Sequence, residues 1–317
     1  MEGDGDIAVA TISVLTDVLK PPCKGASFVT HTNVAGLESV EWRDKSGQPL
    51  CISVPAMRGM FKLAGKDSAV EPVKPADIFK NSLIVPDRLI NRPEKLKSLT
   101  IKIIFPDTPQ AFPEDDRQKI ISSDKKSVTI KTSLLKETQG IKMPFQTEGM
   151  ERYLSPTDFE QSASSSIISV ARELTWTQDN ALSASIKIIE WANAYIKKTS
   201  SKRGYLSALE VLETKEGDCT EYAVLASTVA KAAGLPSRLS AGIVYLEGSF
   251  GYHIWNDIWV GYWHPFDSSS GNTYINPSYI KLWTGTGDSG GLRDASIAVL
   301  NAFNGAKIKI IETEYTE

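Results

Sequence analysis

The stretch from Asp218 to Pro236 constrains the fold most, because the chain changes its hydrophobic period there. Asp218 to Ala233 reads as a helix, with Asp218 placed to cap it and Gly234 and Pro236 to stop it. Before it, Ile167 to Leu174 and Ile186 to Ile196 carry apolar residues at i, i+3, i+4, i+7 spacing, and Tyr205 to Leu212 reads as a shorter helix. After Pro236 the pattern alternates. Arg238 to Leu246, Tyr252 to Val260 and Tyr262 to Phe266 read as strands, and Tyr274 to Trp283 and Lys307 to Thr313 are expected to extend the same sheet. Helices followed by strands argue an α+β unit rather than alternating βαβ.

At 317 residues the chain is long enough for two structural units. The first 150 residues read as strands and loops: Thr11 to Val18, Ser98 to Phe105 and Ser127 to Ser133 are β-branched runs between Pro, Gly and Asp clusters. Composition shifts near Leu154. Ser155-Pro156-Thr157-Asp158 and the serines of 161–166 read as a linker whose hydroxyls cap the next helix, so the expected division is 1–154, β-rich and of unassigned role, and 155–317.

Several function classes fall away early. Lys+Arg 35 against Asp+Glu 38 gives a net charge of −3 and no basic tract, which argues against a nucleic-acid partner. Apolar stretches such as Ile7 to Leu15 stop short of the roughly 20 residues a bilayer crossing needs. The start Met-Glu-Gly-Asp-Gly-Asp lacks a basic segment followed by an apolar run, so no signal peptide is read there. The compartment stays open between cytoplasm and, for a chain whose leader has been removed, periplasm or secretion. Cys23, Cys51 and Cys219 form no C-x-x-C motif, so neither a metal nor any other cofactor is expected. For Cys23 and Cys51, two buried free thiols are favoured over a bond between them.

The chemistry gathers in the second half. Cys219 opens the Asp218 helix, where unpaired N–H groups and the positive dipole end favour thiolate over thiol. Its own N–H would also face an oxyanion formed on a carbonyl that the sulfur attacks. A buried cysteine in the first turn of a core helix fits that segment equally well. His253 lies on a strand where His253, Trp255, Asp257 and Trp259 share one face. A three-residue hairpin loop of Trp259, Val260 and Gly261 sets His253 opposite Asp267, where a carboxylate orients an imidazole. Trp255 and Trp259 are expected in the core. His264 has the opposite parity to Asp267 and is expected at the surface or on the second face, which argues against zinc bound by Cys219, His253 and His264. His31 reads as a loop residue.

Two short motifs near the end fail on context. Gly285 to Gly290 matches G-x-G-x-x-G, but too little chain follows to build a βαβ unit. Gly287 to Gly291 matches GDSGG, the setting of a serine-protease nucleophile at Ser289, but His253, Asp267 and Ser289 all fall in one short stretch rather than across two barrels. The segment is expected to be a flexible glycine loop.

GDCTEYAVLASTVAKAAGLPSRLSAGIVY followed by HIWNDIWVGYWHPFD resembles the transglutaminase-like superfamily of bacterial type, over about Ala181 to Ser270. The resemblance implies a papain-like α+β core, with the nucleophile helix packed on an antiparallel sheet. It also implies Cys219 as nucleophile, His253 as general base and Asp267 as orienting carboxylate. Gly234 to Arg238 matches the turn into the sheet, and Gly291-Leu292-Arg293-Asp294 the segment that follows the core. Asp257 stands where many members have Glu, Asn256 where they have an apolar residue or Thr, and Asp267-Ser268-Ser269 replaces Asp-Pro-Thr. The implied activity is acyl transfer on protein or peptide amides through a thioester, hydrolysis being favoured over cross-linking to an amine. A non-catalytic binding module that keeps the triad is the alternative. Tyr205 and Trp191 are near enough in sequence to be considered as second oxyanion donors, and neither is chosen.

Overall fold

The computed structural model describes residues 10–15, 23–34, 37–54, 59–62, 83–106, 111–136, 139–199, 205–303 and 305–316. Two compact units divide the chain, Met1–Ala76 and Asp77–Glu317. The first is an antiparallel meander of β1 (Ala10–Leu15), β2 (Phe28–Val34), β3 (Leu37–Arg43), β4 (Pro49–Val54) and β5 (Gly59–Lys62), each paired with the next in sequence. The strand expected over Thr11 to Val18 is β1, and residues 16–18 lie outside the described set. His31 lies within β2 rather than in a loop.

Cys23 and Cys51 are joined by a disulfide, with Cα atoms 6.3 Å apart, which corrects the expectation of two free thiols. The reason is register. The Ser27 N–H bonds the Arg43 carbonyl, and β3 pairs Trp42 with Cys51, so the turn before β2 is drawn alongside β4.

The second unit holds two four-stranded antiparallel sheets. One is ordered β15-β6-β8-β7, from β6 (Leu96–Ile104), β7 (Gln118–Ser123), β8 (Ser127–Ser133) and the C-terminal β15 (Lys307–Tyr315). The expected division at 154 therefore falls inside a unit: β15 pairs with β6 across more than half the chain and closes residues 96–133 onto the C-terminal half. The same pairing takes β15 out of the sheet that the strands after Pro236 were expected to form.

That second sheet is ordered β13-β12-β11-β14, from β11 (Ser237–Leu246), β12 (Ser249–Trp259), β13 (Trp263–Phe266) and β14 (Tyr279–Gly285). The helices are α1 (Ser165–Thr175), α2 (Ala181–Tyr195), α3 (Ala208–Thr214), α4 (Cys219–Ala232) and α5 (Ser289–Phe303). A two-residue parallel pair, β9 (Lys197–Lys198) with β10 (Glu216–Gly217), ties the end of α2 to the entry of α4.

Helix α4 is the axis of this unit. Thr220 to Lys231 are all buried, with α1, α2 and α3 on one side and β11 and β12 on the other. It ends in paired bonds from Gly234 N–H to the Lys231 carbonyl and from Leu235 N–H to the Ala230 carbonyl. That closure needs the left-handed φ of +80° that Gly234 adopts. Pro236 then releases the chain into β11.

Two segments are more ordered than the sequence suggested. In the Ser-rich stretch before α1, Glu160 is fully buried against α4, and Ser164 caps α1 without a side-chain hydrogen bond. The glycine stretch is no flexible loop. β14 runs to Gly285, the Gly287 N–H donates to Glu160 at 2.6 Å, and Asp288 receives the Gly291 and Leu292 N–H groups at the start of α5.

Candidate active site

Cys219 is the first residue of α4, held by a reciprocal cap. The Asp218 carboxylate accepts the Thr220 N–H at 3.0 Å, and the Glu221 carboxyl accepts the Asp218 N–H at 2.9 Å. Upstream, the Thr199 N–H donates to the Gly217 carbonyl at 2.9 Å, and the Tyr222 hydroxyl donates to the Ile196 carbonyl at 2.6 Å. The turn carrying Cys219 is thus bound to the end of α2, and Cys219 itself is half-buried.

His253 Nε2 lies 2.9 Å from Asp267 Oδ2, with both side chains buried. Pairing with Asp267 through Nε2 leaves Nδ1 for other partners, and the imidazole is within hydrogen-bonding reach of Cys219. The structure therefore brings Cys219, His253 and Asp267 together.

The route to that contact differs from the expected one. Trp259 pairs with Trp263 and Asn256 with Phe266, so the loop is Val260-Gly261-Tyr262. Continued one residue, that register sets Asp267 opposite Trp255 rather than His253. Pairing ends at Phe266, and Asp267 instead bridges Asn272 in a tight turn. His253 and Asp267 are diagonal neighbours on one face, a separation an imidazole spans.

Charge is organised around this pair. Burial disfavours a charged His253, but the Asp267 carboxylate and then Cys219 outweigh it, and the imidazole pKa is raised to about 10. Burial likewise works against the Asp267 carboxylate. The imidazolium, the Tyr279 hydroxyl at 2.7 Å and the Ser270 side chain hold its pKa well below the usual carboxylate range. Ser269 N–H and Oγ donate to the other oxygen at 3.0 and 2.8 Å. The Ser268-Ser269 sequence that departs from Asp-Pro-Thr thus supplies donors to Asp267 and, through Ser268, to Asn256.

Asn256, on the opposite face of β12, donates to the Ala223 carbonyl of α4 at 2.7 Å and accepts the Ser268 hydroxyl at 3.0 Å. Asp257 is buried and meets Lys281 Nζ at 2.6 Å, Ser240 Oγ at 3.0 Å and the Arg238 guanidinium at 3.2 Å. Burial opposes its charge, while Lys281 and Arg238 bring its pKa down to about 2. His264 is buried rather than at the surface: Nε2 meets the Thr273 carbonyl at 2.8 Å and the ring packs on Phe266 and Tyr274. Burial lowers its pKa.

Of the two side chains considered as second oxyanion donors, Trp191 stacks on Tyr195, with centroids 4.8 Å apart. The Tyr205 hydroxyl lies 2.5 Å from Ser296 Oγ of α5, and the Tyr252 hydroxyl 3.3 Å from the same atom. Burial, opposed by the Ser296 contact, raises the pKa of both phenols, and the charge of Cys219 acts on both. Tyr252, Ser296 and Tyr279 were not singled out from the sequence. Tyr279 lies in a stretch read only as a strand, and Ser296 in a helix hidden behind glycines.

No curated protein matches the chain. Among solved structures, it is similar to a candidate cysteine protease from Cytophaga hutchinsonii, at 16% identity and TM-score 0.46, over 69% of this chain and 90% of that one. It is also similar to the periplasmic domain of TgpA from Pseudomonas aeruginosa, at 14% identity and TM-score 0.42, over 63% and 93% of the two chains. Residues 168–268, from within α1 to the serine after Asp267, match the Transglutaminase-like superfamily model.

Proposed function

We propose that the protein is a cysteine-dependent acyl-transfer enzyme acting on protein or peptide amides, with hydrolysis as its main outcome. The observation that carries this reading is His253, placed between the buried carboxylate of Asp267 and the sulfur of Cys219 at a helix N-terminus. Cys219 sulfur would add to the amide carbonyl, with the first-turn N–H groups facing the oxyanion. Collapse breaks the C–N bond, and His253 delivers the former thiol proton to the departing amine. Water then attacks the thioester, His253 takes its proton, and the acid and free thiol are released. Asp267 fixes the ring orientation and balances the imidazolium. Half-burial of Cys219 supports water as acceptor, since solvent reaches the thioester. The Cys23–Cys51 bond supports work in an oxidising compartment.

The test is iodoacetamide alkylation of Cys219 followed by peptide mass spectrometry, in the parent and in His253→Ala. At pH 6 the parent is expected to react at least tenfold faster than the variant. Equal rates would remove the Cys–His reading. Fluorescent casein and dansylcadaverine then separate the acceptors: new peptide fragments support hydrolysis, whereas amine incorporation without fragments overturns it in favour of cross-linking.

A further inference from the structure

The oxyanion of the reaction above needs a donor besides the Cys219 N–H, because the Asp218 cap already takes the Thr220 N–H. The fold brings one to the open end of α4. Helix α4 and strand β12 run in the same direction: Asn256 reaches the Ala223 carbonyl, and the Trp259 N–H bonds the Pro236 carbonyl just past the helix end. From Ala223 back to Cys219 the helix retreats by about 6 Å, while from Asn256 back to Tyr252 the strand retreats by about 13 Å. β12 pairs with β11 without a register shift, so Tyr252 shares the α4-facing side of the strand with Asn256. Tyr252 therefore stands about 7 Å beyond the level of Cys219, in front of the helix N-terminus. Its hydroxyl lies 3.3 Å from Ser296 Oγ of α5, and the same Ser296 atom meets the Tyr205 hydroxyl at 2.5 Å. Tyr205 is held beside the nucleophile turn in its own right. Its ring meets Phe159 edge-on with centroids 6.4 Å apart, and the N–H of the next residue, Leu206, donates to Glu221 of α4 at 3.1 Å.

We propose that the Tyr252 hydroxyl is the second oxyanion donor, in contact with the reacting carbonyl oxygen, and that Ser296 is the residue that positions it. This rests on the Cys–His reading. When the Cys219 sulfur bonds the carbonyl carbon, the π pair moves to the oxygen, which then lies between the Cys219 N–H on the helix and the Tyr252 O–H in front of it. Ser296 Oγ accepts from Tyr205 and donates to Tyr252, so the phenol oxygen receives a proton from α5 and turns its own toward Cys219. Collapse returns the pair to the carbonyl, the amide C–N bond breaks, and both donors keep their protons. Burial first, and then the charge of Cys219, raise the Tyr252 pKa well above that of a free phenol, so the group stays a donor wherever the sulfur ionises. Tyr252 immediately precedes His253, so one strand sets the placement of both the base and the donor.

The experiment sets two reactions of Cys219 side by side in the full chain: the p-nitrophenolate burst from p-nitrophenyl acetate, less the rate of Cys219→Ala, and alkylation by iodoacetamide. In the burst the sulfur adds to the ester carbonyl, an oxyanion forms, the aryl C–O bond breaks, and the thiol proton passes to His253. Alkylation displaces iodide at a saturated carbon and forms no oxyanion, so it reads the thiolate and its access alone. Tyr252→Phe is expected to slow the burst about 100-fold while changing alkylation by no more than about twofold. Ser296→Ala is expected to slow the burst about tenfold, again with alkylation preserved, and Ser296→Thr, which keeps the hydroxyl, to recover most of that loss. A burst unchanged in Tyr252→Phe, or slowed no more than alkylation is, overturns the inference, and so does a loss confined to Tyr205→Phe. Ser296→Ala carries the same test where Tyr252→Phe does not fold: a burst and an alkylation slowed alike, or a burst left unchanged, overturn it. If His253→Ala acylates and alkylates as fast as the parent, the Cys–His reading fails instead, whatever Tyr252 does.

Discussion

Lys231 to Met removes the only cation of a fully buried ion pair, and its cost can be worked from the contacts. Lys231 Nζ and Glu160 Oε2 are 2.7 Å apart with both side chains at 0% exposure. Glu160 also accepts the Ser227 hydroxyl at 2.5 Å and the Gly287 N–H at 2.6 Å, and Lys231 reaches the Ser155 carbonyl at 3.4 Å. In the variant, Glu160 keeps two neutral donors but loses its counter-charge. Breaking a buried pair on one side costs about 3–5 kcal/mol, because the remaining charge is neither solvated nor balanced. For a unit of this size that lowers the melting temperature by about 10 °C. Removing both charges, in Glu160→Gln/Lys231→Met, should recover at least half of the loss.

Urea unfolding followed by tryptophan fluorescence reads this directly, since of the 7 tryptophans only Trp42 lies in the first unit. A single-variant loss under about 1 kcal/mol would mean the carboxylate finds water or a new partner, and that Glu160 does not pin the 155–164 segment and the Gly287 turn to α4. A double variant as unstable as the sum of the two single variants would refute the charge argument and leave packing as the cause.

Two further outcomes follow from the same physics. Reducing the Cys23–Cys51 bond, which closes a loop of sequence separation 28, should destabilise the first unit by about 3–4 kcal/mol, read as a lower urea midpoint in dithiothreitol; an unchanged midpoint would show that the meander needs no crosslink. The His253 pKa is raised, so its pairing stabilises fully below about pH 6.5 and is lost as pH rises toward 10, whereas the depressed Asp267 pKa gives stability that is lost as pH falls below about 4. Unfolding free energy should therefore decline from pH 7 to 10 by a few kcal/mol in the parent and much less in His253→Ala, and equal slopes would sink that assignment.

What the sequence disclosed, and what it hid, follows the range of the interactions involved. Helix α4 was legible because its cap, periodicity and glycine stop are written within 20 residues. The order of Cys219, His253 and Asp267 was legible for the same reason, but their register was not. A three-residue loop fits Trp259–Gly261 and Val260–Tyr262 equally, and only the pairing of Trp259 with Trp263 decides. Face parity survives a shift of two, so the contact was foreseen by a wrong route. The pairing of β15 with β6, the Cys23–Cys51 bond and the burial of Glu160 in a serine-rich stretch depend on partners far away in sequence. Local composition does not encode them. Helix α5 was masked by glycines whose role is to let Gly287 approach Glu160 and Asp288 cap the turn.

The candidate site depends on atoms from three elements keeping their spacing, and one buried amide joins all three. Asn256 lies three residues after His253 on β12, bonds the carbonyl of Ala223, four residues after Cys219 on α4, and accepts the hydroxyl of Ser268, next to Asp267. Asn193 of α2 ties the same turn from outside through the Ser268 carbonyl at 3.0 Å. Each bond adds only about 1 kcal/mol, yet each leaves a buried group unsatisfied if another partner moves. An apolar side chain at 256 would pack β12 on α4 without fixing their slide along one another. An amide fixes it, because a hydrogen bond loses its worth within a few tenths of an ångström. The departure from an apolar residue or Thr at Asn256 and the departure at Ser268 are therefore one change in two places: a polar strut, built from both, that ties the Cys219 helix to the strand of His253 and the turn of Asp267.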